Sequence, residues 1–230
     1  MTATPGSAAR TATTAVPEVR YLRRFSRSER ALHWIHASAF FALLASGLVL
    51  YLPALAERVS RRPLVKAVHL YTALAWAAAL VLIVLVGNRR RLRQTLRELD
   101  LFDGDDRQWL LGRAVPQGRF NAGQKLNFWL TAAFAALFAI SGFLLWYGER
   151  DTRFRFANTI LLHDGLMYVS LVVLVGHLYL SLIHPSTRHS LRGITRGEVR
   201  EEWARNHHPK WAEAELGPAP DLDREEPTVI

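Results

Sequence analysis

The sequence contains no cysteine. That one absence removes disulfides, iron–sulfur clusters, cysteine nucleophiles, the usual structural zinc sites and haem attached covalently through a CxxCH motif. Any redox cofactor must be held by histidine, methionine or carboxylate, and methionine is scarce, with two in the chain. Charge is also missing from long stretches. Four segments of about 20 mostly apolar residues carry almost no Lys, Arg, Asp or Glu, as helices that cross a bilayer require.

Those segments are Ala31–Leu52, Ala67–Gly87, Leu126–Tyr147 and Thr159–Ile183. The 230 residues include 29 Lys+Arg against 20 Asp+Glu, a formal net charge of +9. Such an excess could signal nucleic-acid binding, but the arginines lie at the ends of the apolar segments, where membrane topology accounts for them. No nucleic-acid partner is expected; membrane lipid is. Lys+Arg number 6 before the first span, 9 in 88–125 and 7 after the last, against 4 in 53–66 and 3 in 148–158. The positive-inside rule therefore predicts cytoplasmic N- and C-termini and a cytoplasmic second loop. The Ala/Thr/Ser-rich start has no apolar core and does not read as a signal peptide. Residues 1–19 are expected to form a disordered leader and 212–230 a disordered tail, with one four-helix membrane domain over 20–211.

Within the second loop, Leu92, Leu96, Leu99 and Phe102 recur at helical spacing among arginines. A short helix on the membrane surface and a solvated basic loop both fit. Spans one and three echo each other: Trp34 and Ser46–Gly47 are matched by Trp129 and Ser141–Gly142 at constant offset, with His33 opposite Phe128. A degenerate copy and coincidence between two Ala/Leu/Phe-rich helices are both open.

Of nine histidines, His33, His36, His69, His163 and His177 lie in or at the edge of spans, and His184 just beyond the last. Ionisable groups are costly in hydrocarbon, which makes these candidates for function. His163 and His177 are 14 residues apart, about four helical turns, so they share a face some 21 Å apart along one helix. The topology puts His33 and His177 near the inner surface, and His69 and His163 near the outer one. Two depth-matched pairs suit two stacked haems, each gripped by two imidazoles. Filling both axial positions leaves no open site for oxygen and favours electron transfer. Without cysteine the haems are b-type. Gly47 falls level with the outer pair, where a missing side chain lets a flat ring approach. By spacing alone, His36 competes with His33, and His184 with His177. Asp164 can serve the outer pair or simply reach headgroup water.

With these residues in place, the chain resembles the cytochrome b, or gamma, subunit of membrane-bound formate dehydrogenases from about Arg20 to Trp211. The marks are Arg30-Ala-Leu-His-Trp34, Lys66-Ala-Val-His69, Phe120-Asn-Ala-Gly-Gln-Lys125, Leu161-Leu-His163, His177-Leu-Tyr-Leu180 and Trp203-Ala-Arg-Asn-His-His-Pro-Lys-Trp211. The resemblance implies an all-α integral membrane four-helix bundle holding two stacked haems b. It implies His33 and His177 as ligands of the inner haem and His69 and His163 as ligands of the outer haem, and it sets His36 and His184 aside. It further implies an inner-membrane complex with an iron–sulfur (beta) subunit and a molybdenum or tungsten catalytic (alpha) subunit. Menaquinone or ubiquinone would be reduced beside the inner haem, near Asn121, Gly123, Gln124 and His177. An amide or a glycine-exposed N–H can donate to a quinone carbonyl, although Asn121 can equally cap the third helix. Formate oxidation would then occur in the partner, leaving electron transfer to this chain. His207–His208 reads as part of a cytoplasmic surface element. The alternatives are the cytochrome b subunit of a hydrogenase or other periplasmic dehydrogenase and, from another class, a haem-free proton-coupled transporter or structural anchor.

Overall fold

The computed structural model describes residues 19–218. The expected leader, but for its last residue, and the tail beyond 218 lie outside the described residues. Four long apolar helices carry the chain: α1 (Arg27–Tyr51), α3 (Arg62–Val86), α6 (Ala122–Gly148) and α7 (Thr159–Leu178). A π-helical turn at Tyr179–Ile183 extends α7, so all four expected spans are present. Each long helix begins and ends for a local reason. Ser26 caps α1 and forms a reciprocal capping box with Glu29, and the helix stops before Pro53, whose ring disfavours helical geometry in the preceding residue. Pro63 sits in the first turn of α3, where its missing N–H costs nothing. Asn121 and Gln124 form a second capping box at the start of α6.

α1 packs on α3 and α6 on α7, giving two hairpins. Short α2 (Pro53–Val59) closes the first, and a 3₁₀ turn at Thr152–Phe154 lies in the connection of the second. Lys66 pairs with Glu149, so the two connections lie at the same end of the bundle. Hardly any side chain of the long helices is buried within the chain, and none of α3 is. Helices apolar all round and unburied by protein are suited to lipid.

The other end is built from three segments distant in sequence. β1 (Tyr21–Arg23) pairs antiparallel with β2 (Glu198–Arg200), Leu22 opposite Val199. α8 (Leu191–Arg196) precedes β2, and α9 (Glu201–His207) and α10 (Pro209–Leu216) follow it. Leu22, Val199, Trp203, Ala204, Trp211 and Ala212 form a small apolar core there. The second loop supplies α4 (Arg89–Asp100) and α5 (Gly104–Leu110). Of the two readings of this loop, α4 is the helical one, but its inward stripe is narrower than the leucine spacing implied. Leu99 is buried, whereas Leu96 and Phe102 are exposed.

Two expectations need correcting here. The ordered chain runs past Trp211, because α10 continues to Leu216 and Ala212 is fully buried. Glu213-Ala-Glu-Leu216 has a tail's acidity, yet Glu, Ala and Leu are good helix formers, and Trp211–Ala212 gives them a face to bury. His208 is not a surface residue either, being 2% exposed. Its Nδ1–H donates to Gly118 O at 2.7 Å, leaving Nε2 to accept from Arg24 Nη2 at 3.0 Å. Arg24, itself buried, also donates to Arg119 O at 2.8 Å and lies over the rings of Trp203 and Trp211. Burial and the neighbouring Arg119 lower Arg24 to about 9, leaving it charged at neutral pH.

Burial first, and then the Arg24 charge, lower His208 from 6.5 to about 3. As pH falls below the ordinary histidine value, the unfolded segment takes up a proton that the folded one refuses. The stabilisation is therefore complete above about 6.5 and declines by up to about 1.4 kcal/mol per pH unit toward the lowered value. Trp203 and Trp211 fluorescence should report loosening of this end in mild acid. His208→Gln should flatten that acid response.

Candidate haem-binding site

The two imidazole pairs expected from helix geometry are both formed. His33 of α1 faces His177 of α7 with ring centroids 6.3 Å apart and planes at 53°. His69 of α3 faces His163 of α7, also at 6.3 Å, with planes at 67°. Each pair takes one ring from each hairpin, so the pairs bridge the two halves of the bundle. The remaining candidates lie apart. His36 packs on Trp76 with centroids 5.8 Å apart. His184 follows the π turn, with its Nδ1 3.1 Å from Ser186 Oγ. Asp164 is half-buried beside His163.

The spacing tests what such a pair can hold. A metal–imidazole bond is about 2.0–2.1 Å, and a ring centroid lies roughly 1.1 Å behind its nitrogen, so two imidazoles on one metal put their centroids about 6.2–6.4 Å apart. Both pairs meet this distance. Among the described residues, no three His, Asp or Glu side chains gather as a metal site. A bare zinc ion needs three or four protein ligands. Two opposed imidazoles suit an iron that brings its four equatorial nitrogens with it.

The His69–His163 pair has a second set of polar contacts. Ser46 Oγ of α1 lies 2.8 Å from His69 Nδ1, and Ser141 Oγ of α6 lies 2.8 Å from His163 Nδ1. Each hydroxyl directs its single proton to the carbonyl one turn back, Ser46 to Ala42 O at 2.8 Å and Ser141 to Leu137 O at 2.7 Å. A hydroxyl that gives its single proton to that carbonyl accepts from the imidazole, and the arrangement favours the tautomer with the proton on Nδ1 and the Nε2 lone pair open to a metal. The following glycines lie against the rings: a Cβ on Gly47 would lie 3.5 Å from His69 Cε1, and one on Gly142 3.5 Å from His163 Cε1, each an ordinary van der Waals contact. Gly47 is thus level with the His69–His163 pair, and the ring nearest it is the histidine's own.

These contacts give the Ser–Gly echo a physical meaning. Trp34 and Trp129 extend it, donating to Ile194 O at 3.2 Å and Leu99 O at 3.3 Å. Both tryptophans tie their helices to the end of the bundle that holds the termini. The partner of each serine is not legible in the sequence, because the imidazole it meets lies on another helix.

The loop before α6 is arranged differently from a simple cap. Gln124 N donates to Asn121 Oδ1 at 2.9 Å, and Asn121 N donates to Gln124 Oε1 at 3.1 Å. Arg24 Nη2 adds a third contact to Gln124 Oε1 at 3.3 Å. Both amide oxygens are engaged, and both NH₂ groups remain without a partner among the described residues. Gly123 has a role the sequence did not indicate: a Cβ there would lie 3.0 Å from Trp109 Cη2, so the indole of α5 rests on the glycine. Lys125 is tied down by Asp106 at 2.6 Å and Leu101 O at 2.8 Å.

A family model for prokaryotic cytochrome b561 matches residues 24–197, from Arg24 to the glycine that ends α8. The chain belongs to that family. Membership implies haem b, the group the paired imidazoles fit. Among curated relatives, the cytochrome b556(fdo) subunit of formate dehydrogenase from Escherichia coli K12 is 27% identical over 198 residues, 82% of this chain and 90% of that one. The formate dehydrogenase cytochrome b556 subunit of Haemophilus influenzae is 23% identical over 199 residues, 81% and 80% of the two chains. The nitrate-inducible cytochrome b556(Fdn) subunit of E. coli K12 is 20% identical over 195 residues, 80% and 86%. The chain is a membrane protein of the cytochrome b class, with four apolar helices.

Proposed function

We propose that this chain is the membrane-anchoring cytochrome b subunit of a formate dehydrogenase complex, carrying electrons from an iron–sulfur partner outside to a quinone at the cytoplasmic side. The observation that carries this reading is the pair of imidazole couples, each at 6.3 Å and each bridging the two hairpins. Two haems b, when bound, supply one-electron relays at two depths of the bilayer. His69 and His163 hold the outer group, and His33 and His177 the inner. The excess of Lys+Arg around the termini and 88–125 orients the His33 end toward the cytoplasm. The relatives' names support formate dehydrogenase as the assembly, with a molybdenum or tungsten alpha subunit oxidising formate and an iron–sulfur beta subunit delivering electrons. Co-purification tests the assembly. Recovery with a hydrogenase or another dehydrogenase would redirect the donor and leave the haem reading intact.

Menaquinone or ubiquinone is placed beside Asn121 and Gln124. Their free NH₂ groups offer donors to a quinone carbonyl, and their engaged oxygens hold those donors in place. Gly123, under Trp109, shapes the loop and is not needed as a donor. Asn121→Asp separates the two roles of Asn121. Aspartate keeps the cap oxygen, which a helix N-terminus favours, but loses the amide donor. Haem content and dithionite reduction should be unchanged. Reoxidation by added quinone should slow by about 2- to 12-fold, the kinetic equivalent of one hydrogen bond of 0.5–1.5 kcal/mol. Normal stopped-flow reoxidation in both Asn121→Asp and Gln124→Glu would leave this loop a structural cap alone.

A further inference from the structure

The two histidine pairs have the same spacing but different surroundings. His69 and His163 each have Nδ1 2.8 Å from a serine Oγ that also lies within hydrogen-bond distance of the carbonyl one turn back, an arrangement in which the imidazole Nδ1–H donates to the serine. The ring nitrogens of His33 and His177 have no hydrogen-bond partner among the described residues. The difference follows from the echo between α1 and α6. Ser46–Gly47 and Ser141–Gly142 occupy equivalent positions on the two helices, and both face the outer pair.

Serine in a helix ordinarily bonds back to the preceding turn, slightly bending the helix. That bond alone gives no reason for a histidine on another helix to meet the oxygen. Here it happens twice, at 2.8 Å each time, with the glycine after each serine lying against the same ring. Ser141 is wholly buried and Ser46 nearly so, so water does not compete for the interaction. A donated Nδ1–H orients a ligand imidazole and raises its basicity, and hydrogen bonding beyond the ligands is one of the protein's levers on haem potential. A more basic ligand favours the ferric over the ferrous iron.

We propose that Ser46 and Ser141 are positioning residues that fix His69 and His163 as Nε2 ligands and hold the outer haem at a lower midpoint potential than the inner one. This rests on the two-haem reading of the pairs. The arrangement makes transfer from the outer to the inner side downhill through the chain's own hydrogen bonds, before any donor or acceptor is considered.

The test is an optical redox titration of the α-band in the full chain, for wild type, Ser46→Ala, Ser141→Ala, the double variant and Ser46→Thr. Low-spin haem EPR is recorded on the same samples. The lower midpoint should rise in each alanine variant and rise further in the double variant. The higher midpoint should stay in place, and Ser46→Thr, which keeps the hydroxyl, should match wild type. EPR should show a changed ligand field at one haem. If an alanine variant loses a haem that Ser46→Thr retains, the hydroxyl is still shown to hold the ligand. Two haems with unmoved midpoints in the double variant would overturn the proposal, as would movement of the higher midpoint or haem loss in Ser46→Thr as well. A single haem in the wild type would overturn the two-haem reading and this proposal together.

Discussion

Alanine at His69 or His163 should remove one haem per chain and leave the other in place. Alanine at His33 or His177 should remove the complementary one. The effect is expected to be all-or-none because each pair has no spare ligand. His36 is turned to Trp76, and His184 is held near Ser186, so neither can replace a lost imidazole without moving its helix. His36→Ala and His184→Ala should therefore keep both α-band components. Reduced-minus-oxidised spectra of the six variants decide the matter. A haem lost from His36→Ala but retained in His33→Ala would reassign the inner pair.

The second large effect concerns stability. Arg119, in the loop before α6, is 5% exposed, and its Nη2 lies 3.1 Å from Glu29 Oε1 of α1. It also bonds Thr95 of α4 and, at 3.1 Å, the carbonyl of Arg24. One guanidinium thus ties together the N-terminal segment, the second loop and the start of α6. Burial lowers its proton affinity, while Glu98 and Glu29 oppose that shift. Removing one partner of a buried pair leaves the other charge uncompensated, typically at a cost of about 3–5 kcal/mol. Arg119→Met should accordingly lower the melting temperature markedly and expose the 88–121 loop to protease. Glu29→Gln combined with Arg119→Met should recover part of the loss, since the more buried of the two carboxylates left behind is then gone, while Glu98, 2.7 Å from Arg119 Nε, is partly open to solvent. A double variant no more stable than Arg119→Met alone would show that the arginine's other contacts dominate.

The membrane part of this fold is legible in the sequence because lipid imposes a one-dimensional rule. A run of about 20 apolar residues must be a helix, and depth along it follows from residue number. The depth of each residue along its helix therefore matches His33 with His177, and His69 with His163, from the sequence alone. The same rule says little about what happens outside the bilayer. The β1–β2 pairing and the Arg24–His208 contact each join segments more than 90 residues apart, and no periodicity announces them. His208 and Ala212 lie in stretches of polar composition, and their burial depends on Trp203 and Trp211, over which Arg24 from the other end of the chain lies. The serines of the outer pair fall between these cases. Their repetition was visible, and their use became visible only with the facing histidines in place.

Each imidazole couple is expected to hold one haem b. Purified full-length chain, assayed as the pyridine haemochrome after extraction into acidified organic solvent and normalised to quantitative amino-acid analysis, gives the stoichiometry. Two extractable haems b per chain are expected. A content of one haem per chain, or none, would contradict this.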